Sequence, residues 1–481
     1  LIESCSHLGQ KEGKAIRELV RSGEYLKALN YLDSSSFYQD EQNRLLYFLE
    51  KGRIHFKKKE IELAAKNFQK AKEISDKLYT VSLKNKAETF LFNESFDIYY
   101  GLLYERSYLH FYSALSFLLL SQGQPGQKET KKGVISRELS ESERKNFLLS
   151  ARAEMLSWNE LLENFKRLRR GKPLFKDHLL AKVMGGWIHS MTKVSGDNQI
   201  ALGLFKQARI ILYKNYSALE IYNKKYISFR ENYEEFPSLS LKEVEKDFID
   251  KTELFKKTDE FLKFKILQMT KKVRGGSFEQ VVKKLKVKNE TLKRLKNHSK
   301  KSVVIIQEKG LISEKKAKKQ YFGLTSALKD PDSSAISKVL SMIGQSAFLI
   351  YAREQLGLRP PPGEWTPSRD VFGFETARVL SDSLSAQFEL SWIEPQRKLK
   401  APKSDFIVSL EDVAFWETKA QAQSLYAKTG LRLAVKYAVA IASSYLTYNS
   451  MKSEDNGFLA KGVAYWQFIA AKKAIYSSEK A

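Results

Sequence analysis

The sequence predicts a mainly α-helical protein, in which an array of helix hairpins precedes a smaller α+β domain. The 481-residue chain has only ten prolines, and the stretches between them are rich in Leu, Ala, Lys and Glu, which favour helices. Apolar residues recur at helical spacings of three and four before about residue 300, whereas β-branched and alternating runs appear only after it. At roughly 150 residues per domain, this length allows several folded units.

The stretch from Leu45 to Tyr79 carries the clearest hairpin pattern. Its small residues fall where two helices would cross closely, and its larger apolar residues fall at packing positions: Gly52, Ala64, Ala71, Phe48 and Phe68. This spacing is typical of a tetratricopeptide repeat of about 34 residues, although Lys51 and His55 stand where an apolar and an aromatic residue are usual.

The second half of that pattern recurs at Ala201, Phe205 and Ala208. A recurring pattern indicates an array, so residues 14–236 are predicted to form an α-solenoid of tetratricopeptide-like hairpins. The concave face of such an array commonly binds extended peptides or partner helices.

The other elements of the array follow from periodicity, caps and turn residues. They are a first hairpin from Lys14 that turns at Ser22-Gly23, an aromatic core helix within Phe90–Gln122, a loop at Gln122–Gly133, a helix to Leu168 opened by the capping box Ser140/Glu143, and a hairpin over Leu179–Tyr213.

Residues 237–301 are predicted to be a basic helical connector. Pro237 opens a helix, and Ser277–Asn297 indicates two short helices around a turn at Lys286–Asn289. DNA-reading helix-turn-helix units and peptidoglycan-binding LysM modules share this spacing. Glu290 and Thr291 stand where a DNA reader needs base-reading side chains, and no strand with a Gly-Asp turn precedes the first helix, so both alternatives are disfavoured.

Residues 302–481 are predicted to be the α+β domain. Its predicted strands are Ser302–Gln307, Gln320–Leu324, Phe372–Val379 and Ala386–Ile393, and its predicted helices begin near Leu410 and include Leu431–Tyr448 and Phe458–Ile475.

Cys5 is the single cysteine, which excludes an internal disulfide framework and a multi-cysteine metal site. With six scattered histidines, the sequence predicts no metal and no cofactor.

Ile2-Glu3-Ser4-Cys5 resembles the end of a bacterial lipoprotein signal, in which the cysteine receives the lipid; Glu3 departs from that pattern. Residues 1–13 are therefore predicted to be a lipoprotein N-terminal segment with Cys5 as the lipid-attachment residue. No apolar run reaches the roughly 20 residues that span a bilayer.

Together with Cys5, three segments resemble a family of uncharacterised bacterial lipoproteins: LLSARAEMLSWNELLENF (148–165), VVIIQEKGLISEKK (303–316) and the segment from Leu410 to Ala440. The resemblance implies a tetratricopeptide-like N-terminal array and a C-terminal domain in the periplasm, anchored in a membrane by lipid at Cys5. Ser6 after the cysteine is compatible with sorting to the outer membrane.

The formal charge of +26 favours acidic partners such as anionic lipid, acidic glycan or nucleic acid, and nucleic acid is the least favoured because lysines spread along solvated helix faces explain much of the charge. The basic segment Lys283–Lys319 has 14 Lys or Arg against three Glu and is the expected place for contact with acidic lipid or glycan.

No short catalytic motif is present, so no catalytic residue is predicted. The predicted function is that of a non-enzymatic cell-envelope lipoprotein that scaffolds another envelope protein. The alternative is an enzyme or binding module for peptidoglycan or another glycan, with its site between the array and the C-terminal domain. Such an enzyme needs two carboxyl groups about 5 to 10 Å apart, and the candidates are Glu234, Glu235, Asp405, Glu411 and Asp412.

Overall fold

The computed structural model describes residues 7–82, 99, 101, 103–130, 133–168, 178–214, 251–273 and 278–296, and, further along the chain, residues 304, 306, 315–321, 373–379, 391–394, 397–400, 436, 439–440, 443–444, 446–451 and 457–478. Helices dominate these residues, so the mainly α prediction is confirmed.

The first hairpin consists of α1 (His7–Arg21) and α2 (Tyr25–Ser34). Gly23 makes the turn between them with a φ of +78°, a conformation that L side chains rarely adopt. The short helix α3 (Ser36–Gln39) and a 3-10 turn (Glu41–Asn43) then lead into the next hairpin.

The predicted hairpin at Leu45–Tyr79 is confirmed as α4 (Arg44–Lys57) and α5 (Ile61–Ser82). A Cβ added to Gly52 would lie 2.7 Å from the ring of Phe68, so glycine is what allows the two helices to approach this closely. The small residues of α5 at packing positions, Ala64 and Ala71, are fully buried.

The third hairpin pairs α6 (Leu103–Ser121) with α7 (Glu141–Leu168). The aromatic stripe of α6 is core as predicted, with Tyr104, Tyr108, Phe111 and Tyr112 buried. The capping box at the start of α7 also forms: the backbone N–H of Ser140 donates to Glu143 at 2.9 Å, and that of Glu143 donates to the Ser140 hydroxyl at 3.2 Å.

The connection between α6 and α7 was predicted to be a plain loop, and that prediction was wrong. It contains an antiparallel strand pair, β1 (Gly126–Thr130) and β2 (Gly133–Arg137). Tertiary contacts with α5 stabilise the pair, because Gln127 and Glu62 exchange two hydrogen bonds of 2.7 Å. The polar sequence gave no sign of that docking.

The fourth hairpin is α8 (Leu179–Met191) and α9 (Asp197–Lys214), with Gly196 at a φ of +83° in the turn. Its close crossing repeats that of α4 and α5, because a Cβ on Gly186 would lie 2.6 Å from the ring of Phe205.

Helix α10 (Glu253–Lys272) packs on α9, and Thr252 caps it by accepting a hydrogen bond from the N–H of Phe255 at 3.2 Å. The two short helices predicted at Ser277–Asn297 are confirmed as α11 (Phe278–Leu285) and α12 (Asn289–Lys296), both of which pack on α10. The helix predicted from Pro237 begins outside the described residues.

Two further strand pairs and two helical stretches are described in the C-terminal part. The pairs are antiparallel, β3 (Lys315–Tyr321) with β4 (Gly373–Val379) and β5 (Ser391–Glu394) with β6 (Arg397–Lys400). The described residues between 436 and 451 are helical, in agreement with the helix predicted at Leu431–Tyr448, and α13 (Gly457–Ser478) matches the one predicted at Phe458–Ile475. Val304 and Ile306 lie outside any strand, so the predicted strand at Ser302–Gln307 is wrong at these positions. The start of the helix predicted near Leu410 lies outside the described residues.

Partly buried ion pairs link α5 to α7, α7 to α9 and α9 to α10. Each pair links a cation on one helix to a carboxylate on a later one, at 2.7 to 2.9 Å: Lys72 with Glu154, Arg152 with Asp197, and Arg209 with Asp259. Across the ranges that the structure describes, no helix is both long and apolar enough to cross a membrane.

Candidate functional site

A groove of about 530 Å³ lies over α4 and α5. Its residues come from these two helices and from α6, β1 and α7: Arg44, Tyr47, Phe48, Lys51, Glu62, Leu63, Ala65, Lys66, Asn67, Gln69, Lys70, Glu73, Phe117, Glu129 and Phe147. We call this surface the α4–α5 groove. It combines apolar side chains with charges of both signs. A surface of this composition can bind a segment of another protein through apolar and charged contacts.

Phe48 contacts two cations in this groove. The Arg44 guanidinium carbon is 4.9 Å from the centre of its ring, and the Lys70 ammonium is 5.4 Å from the same centre. Arg44 also lies 5.0 Å from the ring of Tyr47. The aromatic rings attract both cations and fix their positions without neutralising their charge.

The other two cations of the groove have carboxylate partners. Lys51 pairs with Asp33 at 2.9 Å, and Lys66 pairs with Glu62 at 3.3 Å. Within the described ranges, neither Arg44 nor Lys70 pairs with a carboxylate. These two positive charges therefore remain available to an acidic group of a bound segment.

The groove wall at Gln69 leads into a buried polar network centred on Glu154. This carboxylate accepts hydrogen bonds from Lys72 at 2.8 Å and Gln69 at 3.1 Å, and it contacts His110 Nδ1 at 2.5 Å. Burial alone would raise the pKa of Glu154, but His110 and Lys72 outweigh burial and lower that pKa to about 2. The charged network fixes the helices behind the groove.

A second buried carboxylate, Asp197, occupies the first turn of α9. Arg152 of α7 donates to both of its oxygens, at 2.9 and 3.0 Å, and the Thr192 hydroxyl also donates to it. Burial would raise the pKa of Asp197, and these hydrogen bonds together with His189 lower it to about 2. Asp197 thus joins α7 to the hairpin of α8 and α9.

The turns of two hairpins carry matching histidine–carboxylate pairs. His55 Nδ1 lies 2.7 Å from Glu60 in the hairpin of α4 and α5, and His189 Nδ1 lies 3.1 Å from Asp197 in that of α8 and α9. Burial lowers the pKa of both histidines, and the adjacent carboxylate opposes that effect. From sequence alone, His55 is only a departure from the repeat pattern, and its pairing with Glu60 is not predicted.

The described residues contain no group of three or more side chains of the kinds that hold a metal ion. The buried histidines instead serve packing and single ion pairs. His178, for example, lies 5.5 Å from the ring centres of both Tyr108 and Trp158.

Most residues that the sequence predicts to carry function lie outside the described part of the chain. Cys5 lies outside the described residues, and so do all five carboxylates considered for glycan cleavage: Glu234, Glu235, Asp405, Glu411 and Asp412. The start of the basic segment Lys283–Lys319 is described and lies on α11, the following turn and α12.

Sequence reasoning did not single out Arg44 or Lys70. A signal was present, because Arg44 is four positions before Phe48, a spacing that places two side chains on one face of a helix, but the position of Lys70 against the same ring depends on how α5 folds back. Comparison of the chain with known protein families, curated proteins and solved structures finds no match.

Proposed function

We propose that this chain is a non-enzymatic scaffold of the bacterial cell envelope that binds another envelope protein through the α4–α5 groove. The observation that carries the proposal is the contact of the Phe48 ring with Arg44 and Lys70, two cations with no carboxylate partner among the described residues. A partner segment that places an acidic side chain beside an apolar one would complement this arrangement.

The successive hairpins support the scaffold role. At both helix crossings, Gly52/Phe68 and Gly186/Phe205, a glycine of the first helix packs against a phenylalanine ring of the second. A tetratricopeptide-like solenoid requires such a repeated contact. Partly buried ion pairs that link α5 to α7, α7 to α9 and α9 to α10 favour a rigid surface, and a rigid surface loses little conformational entropy when it binds.

The proposed location rests on the sequence around Cys5 and on the resemblance to bacterial lipoproteins. In this proposal lipid at Cys5 anchors the chain in the periplasm, at the outer membrane, and the basic segment contacts acidic lipid or glycan. Fractionation of the native host with mass spectrometry of Cys5 tests it: lipidated protein in the outer membrane supports this location, and unmodified cytoplasmic protein bound to nucleic acid overturns it.

The groove is tested by photo-crosslinking from single positions in cells of the native host. One crosslinker replaces Lys66, an exposed lysine that lines the groove, and the matched control replaces Lys206, an exposed lysine of α9 outside it. One envelope protein crosslinked at position 66 and absent at 206 is the expected result, and Arg44→Glu should reduce its yield at least about tenfold, the loss of an attractive contact of roughly 1.4 kcal/mol. Equal products at both positions would count against the groove.

A further inference from the structure

A second group of uncompensated cations lies at the junction of α10 and α12. The Arg294 guanidinium carbon is 4.9 Å from the centre of the Phe264 ring, and the Lys265 ammonium is 5.8 Å from the same centre. Phe264 is buried, whereas Arg294 is exposed and Lys265 half-buried. One aromatic ring from the core thus contacts two cations.

Lys272 adds a third positive charge. Burial is the largest cause that lowers the pKa of Lys265, and together with the charges of Arg294 and Lys272 it brings that pKa to about 8. None of the three cations pairs with a carboxylate in the part of the chain that the structure describes. We call Lys265, Lys272 and Arg294 the α10–α12 cation cluster.

Two carboxylates of the same helix, Asp259 and Glu260, are committed elsewhere. Asp259 accepts from Arg209 at 2.7 Å and Lys263 at 3.1 Å. Glu260 contacts Lys263 at 2.9 Å with one oxygen and accepts from the Thr291 hydroxyl at 2.9 Å with the other. The repulsion within the cluster is therefore not relieved by these neighbouring acids.

The surface around the cluster is also basic. Besides the cluster itself, the exposed charges in the last turn of α10, in α11, in α12 and in the turn between the last two are the lysines Lys271, Lys283, Lys284, Lys286, Lys288, Lys293 and Lys296, against the acids Glu279 and Glu290. Each acid lies in the first turn of its helix, α11 or α12. The acids disfavour phosphate at the helix N-termini, where a DNA-reading helix would contact its target, so an anion is favoured at the cluster instead.

We propose that the α10–α12 cation cluster binds the phosphate group of an anionic phospholipid headgroup, and that the surrounding lysines contact neighbouring headgroups. An arginine fork and two ammonium groups suit the several acceptor oxygens of a phosphate. A lipid surface is the favoured source because exposed lysines continue around the cluster, as contact with many anionic headgroups requires. The choice of lipid rests on the proposed envelope location, whereas the cluster itself does not depend on the α4–α5 groove.

The test measures sedimentation of the full chain with vesicles of phosphatidylcholine alone or with phosphatidylglycerol added. A Cys5→Ala background removes any lipid anchor. The expected result is binding only to the phosphatidylglycerol vesicles, reduced about 100-fold in Lys265→Gln/Lys272→Gln/Arg294→Gln because each cation contributes roughly fivefold. Arg294→Gln alone, which changes only an exposed side chain, should lose about fivefold.

A control variant removes the same total charge from exposed lysines of α7, α9 and the turn before α9: Lys145→Gln/Lys193→Gln/Lys206→Gln. It should retain vesicle binding to within about twofold, and an equal loss would show that only net charge matters and overturn the site. Saturable, cluster-dependent binding of inorganic phosphate, combined with equal vesicle binding by wild type and the cluster variant, would identify free phosphate as the ligand and overturn the lipid. Binding of a DNA or RNA duplex that requires the cluster, without vesicle binding, would also overturn the proposal.

The groove and the cluster are tested independently. Arg44→Glu should weaken crosslinking at the groove and leave vesicle binding unchanged, so failure of one proposal is distinguishable from failure of the other.

Discussion

Gly52 faces the ring of Phe68 so closely that a Cβ at position 52 would lie 2.7 Å from two of its carbons. Phe68 is only 2% exposed, so its ring has little room to move away. The same contact recurs between Gly186 and Phe205 at 2.6 Å. Close crossing at these two points therefore depends on the missing side chain.

Gly52→Ala and Gly186→Ala should each destabilise the fold by about 1 to 2 kcal/mol. The added methyl overpacks a buried contact, at a cost of roughly 1 to 3 kcal/mol, and the better helix propensity of alanine returns up to about 1 kcal/mol. Urea unfolding followed by circular dichroism measures the change.

Gly203→Ala is the matched control for these two variants. Gly203 also lies inside a helix, α9, but nothing is within 4 Å of an added Cβ. Helix propensity then acts alone, and this variant should be stabilised by about 0.5 to 1 kcal/mol. Destabilisation of all three variants by the same amount would contradict the role of the crossings.

The relationship between the two hairpins was only partly predictable from sequence. Ala201, Phe205 and Ala208 reproduce the second-helix pattern of Ala64, Phe68 and Ala71 and were recognised as a repeat. The first helices also match, as Gly-Arg-Ile-His at 52–55 and Gly-Trp-Ile-His at 186–189, but this match was missed. In one hairpin the histidine is five residues before Glu60, and in the other it is eight residues before Asp197. Because the two spacings differ, a search for a repeat of fixed length does not align the two histidine–carboxylate pairs.

Glu154→Gln should destabilise the fold by about 3 kcal/mol at pH 7. The substitution removes the buried negative charge that pairs with Lys72 at 2.8 Å and leaves that cation without its partner. Glu160→Gln, on the exposed face of the same helix, is the control and should change the free energy of unfolding by less than about 0.5 kcal/mol. Equal effects of the two variants in urea unfolding would contradict the prediction.

The same carboxylate predicts a dependence of stability on acid pH. The pKa of Glu154 is about 2 in the folded protein, against 4.5 as its ordinary value, so the unfolded chain binds the proton more readily. Its contribution is present above about pH 4.5 and is lost as the pH falls towards 2. The difference in stability between wild type and Glu154→Gln should therefore shrink across that range, and a constant difference would contradict it.

Other parts of the groove and core could not be read from local sequence because they depend on contacts between distant segments. Arg44 and Phe48 lie on one helix face, but Lys70 reaches Phe48 only once α5 folds back on α4. The strand pair of β1 and β2 likewise depends on the contact of Gln127 with Glu62, 65 residues earlier in the chain. Periodicity predicts helices well, and it carries no information on such pairings.

His178→Phe should make the protein more resistant to mild acid. His178 is buried against Tyr108 and Trp158, and neither of its ring nitrogens has a hydrogen-bond partner within the described part of the chain. Burial lowers its pKa to about 4, below its ordinary value of 6.5, so the unfolded chain takes up a proton that the folded chain does not. This histidine's contribution is full above pH 6.5 and falls by up to about 3 kcal/mol as the pH drops to 4.

Phenylalanine keeps the ring contacts and cannot be protonated, so that loss should disappear in the variant. Urea unfolding at pH 7.5, 6 and 5 should show the stability of His178→Phe rising relative to wild type at each step towards acid. Glu160→Gln, which leaves the histidine in place, should follow wild type throughout. A difference between His178→Phe and wild type that stays constant from pH 7.5 to 5 would mean that His178 is protonated in the folded protein, which its buried contacts with two aromatic rings argue against.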